Sequence, residues 1–274
     1  MRWYSSGNFI LLLLLFLTMA GSLPAVAQLN EGKPDNLKDV GITEKLGDTI
    51  PLDVQFARAN GDSVTLRSLL AGSDKPVLLN PVYYDCPMLC TMVLDGVTKS
   101  IKKLEWQPGE DYRIITFSFD HTEDAEVASE SRAKYLDMFG KDVPGSGWTF
   151  LSGPKSSVKK LTNAIGYDYE YIEEKDQYAH NASIAFLSPE GKITRYLYGI
   201  QFAVNDLKNA LYEAADGNIG NTIDKVTMYC YQYDPSSNSY VPVAFNIMKL
   251  GGLLTMIILG TFLGLFWYKE RKKS

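Results

Sequence analysis

Apolar and polar positions alternate at Leu52-Asp53-Val54-Gln55-Phe56, the period of a strand with one buried face. Asn60-Gly61-Asp62 marks a turn, and Ser63 to Leu66 returns, so a small hairpin is expected. Ser68 to Ala71 reads as a short helical turn. Residues 77–84 form an apolar run, the mark of a strand buried on both faces. From Met88 to Leu104 the period changes. Val93, Val97, Ile101 and Leu104 recur on one helical face, and that face continues the spacing of Cys86 and Cys90. Arg113 to Phe119 predicts a second buried strand ending at Asp120, and a helix follows over 125–139. Trp148 to Leu151 predicts a third strand, and Ser156 to Ile165 a helix capped by Ser156. Tyr167 to Ile172 reads as a short aromatic strand. Ser183 to Leu187, a turn at 188–191 and Lys192 to Gly199 make a hairpin. Ala203, Leu207, Ala210, Leu211 and Ala214 then give a last helix.

Strands alternating with helices, then a hairpin and a helix, give an α/β protein with the element order of a thioredoxin-like fold. Parallel strands joined by crossover helices need both sheet faces covered, and the expected helices do that. In such sheets chemistry collects at the carboxyl ends of the strands. Cys86 and Cys90 follow the end of one strand, and Asp120 and His121 follow the end of its expected neighbour.

The two ends of the chain have a different pattern. Arg2, an apolar run from Phe9 to Met19 and Ala25-Val26-Ala27 have the layout of a secretory signal peptide, with an uncleaved anchor as the alternative. From Leu250 to Tyr268, 19 residues carry no charge. At about 1.5 Å rise each they span roughly 28 Å, the thickness of a bilayer core. Trp267 and Tyr268 suit the interface, and Lys269, Arg271, Lys272 and Lys273 belong on the cytoplasmic side. The expected organisation is a signal peptide over 1–27, a lead-in over 28–48 and a thioredoxin-like domain over 49–216. A linker over 217–249, a transmembrane helix over 250–268 and a cytoplasmic tail over 269–274 complete it. The domain would lie outside the cytoplasm, held to the cell membrane by its C-terminal helix.

Composition adds little to this picture. With 46% hydrophobic and 22% charged residues the chain is not of the disordered class, and at net charge −5 it offers no basic patch for nucleic acid. The cysteines matter more. Two of the chain's three stand at Cys86 and Cys90, at a strand-to-helix junction. A helix start stabilises thiolate through its free N–H groups and dipole, and Pro87 suits a first turn. Two such sulfurs can close a disulfide, exchange electrons with another disulfide, or bind a soft metal; two buried structural cysteines are the plain alternative. In an oxidising compartment a thiol function needs a reductant or a bound metal. The chain has only two histidines, His121 and His180. Two thiolates with one imidazole would suit copper, above all Cu(I).

Tyr83-Tyr84-Asp85-Cys86-Pro87-Met88-Leu89-Cys90 resembles the copper-binding segment of the Sco (SenC) family, the assembly factors of cytochrome c oxidase. Tyr178-Ala179-His180-Asn181-Ala182-Ser183 and the hairpin after it resemble that family's second segment, and the likeness covers roughly residues 50–215. The resemblance implies that Cys86, Cys90 and His180 are copper ligands and that Asp120 is the acidic residue beside them. Its implied partners are the copper-site subunit of a terminal oxidase and a periplasmic copper donor. A thiol–disulfide oxidoreductase acting on the oxidase cysteines, or a copper or redox sensor, is the other reading. The chain departs from the family at Thr91, where a proline is usual, and in His121-Thr122-Glu123-Asp124, which lacks the usual proline and arginine. Its anchor is C-terminal, whereas many Sco proteins use an N-terminal one. His121 is open as an alternative ligand or as a loop residue. Cys230 is open as a third sulfur ligand, a resolving thiol or a packed residue.

Overall fold

A computed structural model of the chain describes residues 40–216, 231–234, 237 and 239–271. The expected signal peptide, Cys230 and the last three residues of the basic tail lie outside the described residues.

The first elements are β1 (Gly41–Ile42), β2 (Gln55–Arg58), β3 (Ser63–Thr65) and α1 (Leu66–Leu70). The alternating stretch 52–56 enters β2 only at Gln55. Helix α1 starts earlier than Ser68 because Thr65 caps it: its side chain accepts the Ser68 amide, and the Ser68 hydroxyl accepts the Thr65 amide. Then follow β4 (Val77–Val82), α2 (Leu89–Lys103), β5 (Arg113–Ser118), α3 (Ala125–Phe139) and β6 (Trp148–Ser152). Strands β4 and β5 are buried at every position, as continuous apolar runs require. Helix α3 keeps the expected bounds because both ends are signalled locally. Asp124 accepts the Glu126 and Val127 amides, and Gly140 closes the helix at φ 67°.

The second half contains α4 (Lys155–Ala164), β7 (Tyr167–Asp168), β8 (Glu170–Ile172), β9 (Gln177–Ala179), β10 (Ser183–Leu187), β11 (Ile193–Tyr198) and α5 (Val204–Ala214). Helix α4 begins before Ser156, with Pro154 in the capping position and no side-chain cap. The aromatic stretch 167–172 is two strands, not one. Tyr167–Asp168 pairs with β1, while Glu170–Ile172 pairs with β9.

The main sheet has seven strands in the order β11-β10-β4-β5-β6-β2-β3. Strands β4, β5 and β6 are parallel, joined by crossover helices α2 and α3, and the remaining pairs are antiparallel. This is a thioredoxin-like sheet with its helices packed around it. Helix α2 buries Cys90, Val93, Val97 and Ile101, with Leu104 just beyond its end. Its outer side lies close to the loop after β11. A Cβ on Gly96 would stand 2.1 Å from the Ile200 carbonyl oxygen, so only glycine permits this approach.

Within the stretch read as a linker, β12 (Tyr231–Asp234) and β13 (Ser239–Pro242) form a hairpin. It docks on the domain. The Tyr240 hydroxyl donates to Glu213 Oε2 at 2.6 Å, its amide donates to Asp206 Oδ1 at 3.0 Å, and the Arg195 guanidinium lies 4.4 Å from the Tyr233 ring centre. Arg195 is also ion-paired with Glu213 at 2.5 Å. Helix α6 (Ala244–Arg271) follows, and its stretch Ala244–Leu265 is long and apolar enough to cross a membrane. None of that stretch is buried within the structure.

Candidate metal centre

Strand β4 ends at Val82, and residues 83–88 form a loop before α2. Cys86 lies in this loop and Cys90 in the first turn of the helix. Pro87 precedes the helix, outside its first turn. His180 lies between β9 and β10. Strand β10 runs antiparallel to β4, with Ala185 opposite Leu79 and Leu187 opposite Val77. Residues before Ser183 therefore reach the level where β4 ends, and this register brings His180 to the cysteines although 90 positions separate it from Cys90.

The sulfurs of Cys86 and Cys90 and a ring nitrogen of His180 all lie within 4.8 Å of one another. His180 Nε2 is 3.2 Å from Cys90 Sγ. The Cys90 amide donates to Cys86 Sγ at 3.2 Å, and the Tyr83 amide donates to Cys90 Sγ at 3.4 Å. Cys86 and Cys90 are both free and buried, and His180 is half-buried.

The imidazole is oriented from behind. Its Nδ1 lies 2.9 Å from the Asn181 carbonyl oxygen and 2.8 Å from the Tyr167 hydroxyl, which itself donates to that carbonyl at 2.9 Å. A carbonyl oxygen can only accept, so Nδ1 carries a proton, and Nε2 is the ring nitrogen turned toward Cys90. Phe119 and Tyr83 wall the ring, with centroids at 5.1 and 5.9 Å.

The two thiols divide one proton unequally. Hydrogen bonding with Cys90, helped by His180 and Tyr83, outweighs burial and holds the Cys86 thiol down to about 3. Burial, with the neighbouring Cys86 charge added, pushes the Cys90 thiol well above its ordinary value. Cys86 is thus the thiolate, and Cys90 keeps its proton.

The acidic residue that reaches the cysteine loop is Glu123. Its Oε1 accepts the Asp85 amide at 2.8 Å, and its Oε2 accepts the Tyr84 amide at 2.8 Å and the Ser118 hydroxyl at 2.5 Å. Burial raises the Glu123 carboxyl above its ordinary value, against these donors. Asp120 accepts the Thr122 amide at 2.8 Å and the Thr122 hydroxyl at 2.7 Å, and its charge acts on the Tyr178 phenol. His121 is exposed and stands outside the cluster. Glu123 escaped the sequence reading because it lies five residues past the strand end, in the segment that departs from the family pattern.

The donor set fits a soft metal. Two sulfurs and one imidazole nitrogen converge, and among the described residues no further carboxylate, cysteine or histidine joins them. A structural zinc site would ordinarily take four ligands, whereas this soft set of three suits Cu(I).

The SCO1/SenC family matches residues 46–213. The SCO1 protein homolog of Bacillus subtilis (strain 168) is 26% identical over 164 residues, covering 57% of this chain and 79% of that protein. A putative electron transfer protein from Aquifex aeolicus VF5 is 28% identical and superposes with a TM-score of 0.55, covering 63% of this chain and 96% of its own. The copper-bound ScoI of Arabidopsis thaliana is 20% identical, with a TM-score of 0.48 over 62% of this chain and 98% of its own. A family match over more than half of the chain, centred on the sheet that carries the Cys86, Cys90 and His180 cluster, makes this protein a member of the SCO1/SenC family.

Proposed function

We propose that this protein is a copper metallochaperone, held to the membrane by α6, that hands copper to the dinuclear copper site of a terminal oxidase subunit. The observation that carries the reading is the convergence of Cys86, Cys90 and His180 within 4.8 Å at the end of β4. Each residue has its part. The Cys86 thiolate is ready as a first ligand without losing a proton. Cys90 yields its proton and becomes the second. His180 offers Nε2 as a neutral donor, already turned inward by Asn181 and Tyr167. His180 is also the most exposed of the three. It is therefore the ligand an acceptor displaces first, with the two sulfurs retaining Cu(I) or Cu(II) until new ligands replace them one by one. A periplasmic copper donor would load the site by the reverse sequence. The signal-like N-terminus and the basic residues at and beyond the end of α6 support a domain on the extracytoplasmic side.

A second reading has its own support. A lowered thiolate at Cys86 beside a protonated Cys90 is also the arrangement of a thiol–disulfide reductant, with Cys86 attacking and Cys90 resolving. Copper titration of the reduced protein separates the two. Cys86→Ser, Cys90→Ser and His180→Ala should each abolish tight Cu(I) binding, and His121→Ala should leave it intact. Retention of tight binding by the His180 variant, with loss in the His121 variant, would overturn the ligand assignment. Turnover of disulfide substrates with no copper affinity would favour the reductant.

A further inference from the structure

We propose that Glu123 is the positioning residue of the dithiol loop: its carboxylate holds Cys86 in the open, ligand-ready arrangement and opposes closure of the Cys86–Cys90 disulfide. The purpose of this clamp rests on the metallochaperone reading, but the clamp itself involves no metal.

The β4 pairing with β5 ends at Val82, and residues 83–88 belong to no strand or helix. Three consecutive amides in this loop are nevertheless held. Tyr83 donates to Cys90 Sγ, and Tyr84 and Asp85 donate to the two oxygens of Glu123. A carboxylate that receives one amide on each oxygen fixes the direction of the backbone as well as its position. Glu123 is only 8% exposed, and Ser118 holds it from the far side, so the clamp is mounted on β5. The next residue in the loop is Cys86.

Disulfide closure requires the sulfurs to approach to about 2.05 Å. Cys90 is fixed in α2, whose face packs on the sheet. The movement therefore falls on residues 84–86: Glu123 holds the amides of Tyr84 and Asp85, while the Cys86 amide donates to the Tyr83 carbonyl at 3.4 Å and its carbonyl accepts the Thr91 hydroxyl at 3.0 Å. Closure also withdraws Cys86 Sγ as the acceptor of the Cys90 amide. Asp120, which also follows β5, bonds Thr122 in its own turn and the Tyr178 phenol, and its carboxylate takes neither of the loop amides that Glu123 holds. The two carboxylates are thus distinguishable by substitution.

The test is a redox equilibrium on the metal-free full chain in detergent, with Cys230→Ser in every sample. Oxidised glutathione takes two electrons from the Cys86–Cys90 pair. One protein S–S bond forms, the glutathione S–S bond breaks, and two glutathione thiols form, taking one proton from Cys90 and one from solvent. Alkylation and mass spectrometry then give the oxidised fraction across a series of glutathione ratios. Glu123→Gln keeps the shape but turns an amide nitrogen against one of the two loop amides. It is expected to move the equilibrium about tenfold toward the disulfide, roughly 30 mV more negative for a two-electron couple. Asp120→Asn is expected to stay within about twofold of the parent. An unchanged equilibrium in the Gln variant, or a shift toward the dithiol, would overturn the proposal. A measurement without substitution guards against a variant that fails to fold. Hydrogen exchange at Tyr84 and Asp85 should be protected in the dithiol form and fast in the disulfide form, and equal protection in both would equally overturn it. Since no arm contains copper, failure of the clamp and failure of the metallochaperone reading give separate results.

Discussion

Replacing Tyr84 by Phe removes one oxygen from the junction between the sheet and the cysteine loop. That oxygen donates to the Leu151 carbonyl at 2.8 Å, lies 3.3 Å from the Thr116 carbonyl, and accepts the Leu151 amide at 3.1 Å. Leu151 is fully buried, so its amide would be left with no water to replace the phenol. An orphaned buried donor costs about 1–3 kcal/mol, and the lost donation adds about 1 kcal/mol. The expected loss is therefore about 2–4 kcal/mol. For a domain of this size that lowers Tm by roughly 5–15 °C. Guanidinium unfolding of the full chain in detergent, followed by tryptophan fluorescence, reads the change well. Buried Trp148 reports on the same strands, since its indole donates to the Thr116 hydroxyl at 3.0 Å. The Tyr84 amide stays with Glu123, so the rate at which Cys86 is alkylated should hold. A loss below about 0.5 kcal/mol, the level of an ordinary surface change, would refute the reasoning.

Two further outcomes follow from the site and from α2. With the Cys86 thiol held down to about 3 and the Cys90 thiol held up, the pair carries one proton between those limits. Cu(I) on both sulfurs must expel it, so a weakly buffered titration at pH 8 should release one proton per metal ion bound. Apparent affinity should then rise about tenfold per pH unit through the neutral range, because raising pH favours the deprotonated product. Release of two protons would mean that Cys86 is not a thiolate. Gly96→Ala should destabilise the domain by about 1–3 kcal/mol in urea unfolding, as an overpacked contact does. The new methyl would collide with the Ile200 carbonyl and strain the neighbouring bond from Ser100 Oγ to the Phe202 carbonyl. A more stable Ala variant would show that helix propensity outweighs the clash.

Much of the fold was legible because its signals are local. Two apolar runs became the central strands β4 and β5, and Asp124 and Gly140 bounded α3 at the expected residues. The pairing of Tyr167–Asp168 with Gly41–Ile42 was not legible, since short polar-flanked strands join across more than 120 positions without a periodic mark. The three soft donors stood out as residue types, and their meeting became readable only through a likeness to known segments. What positions them was hidden. Tyr167 and Asn181 act on His180 through an oriented hydroxyl and a backbone carbonyl, and Glu123 acts through main-chain amides. None of these contacts depends on a spacing that a sequence displays.

The docked hairpin β12–β13 bears on how this domain would meet a partner in the same bilayer. Only Val243 separates Pro242 from the start of α6, and the Tyr233–Arg195–Glu213–Tyr240 contacts hold the hairpin to the body. A domain swinging on a long loose cord samples many orientations, and each encounter costs the entropy of choosing one. A short stiff mount removes most of that choice in advance. On the membrane-anchored reading proposed above, encounters would become a lateral search in two dimensions at a preset tilt, with a high effective concentration for a partner whose acceptor site lies at the matching height. Loosening the Arg195–Glu213 pair would slow such encounters without touching a single ligand.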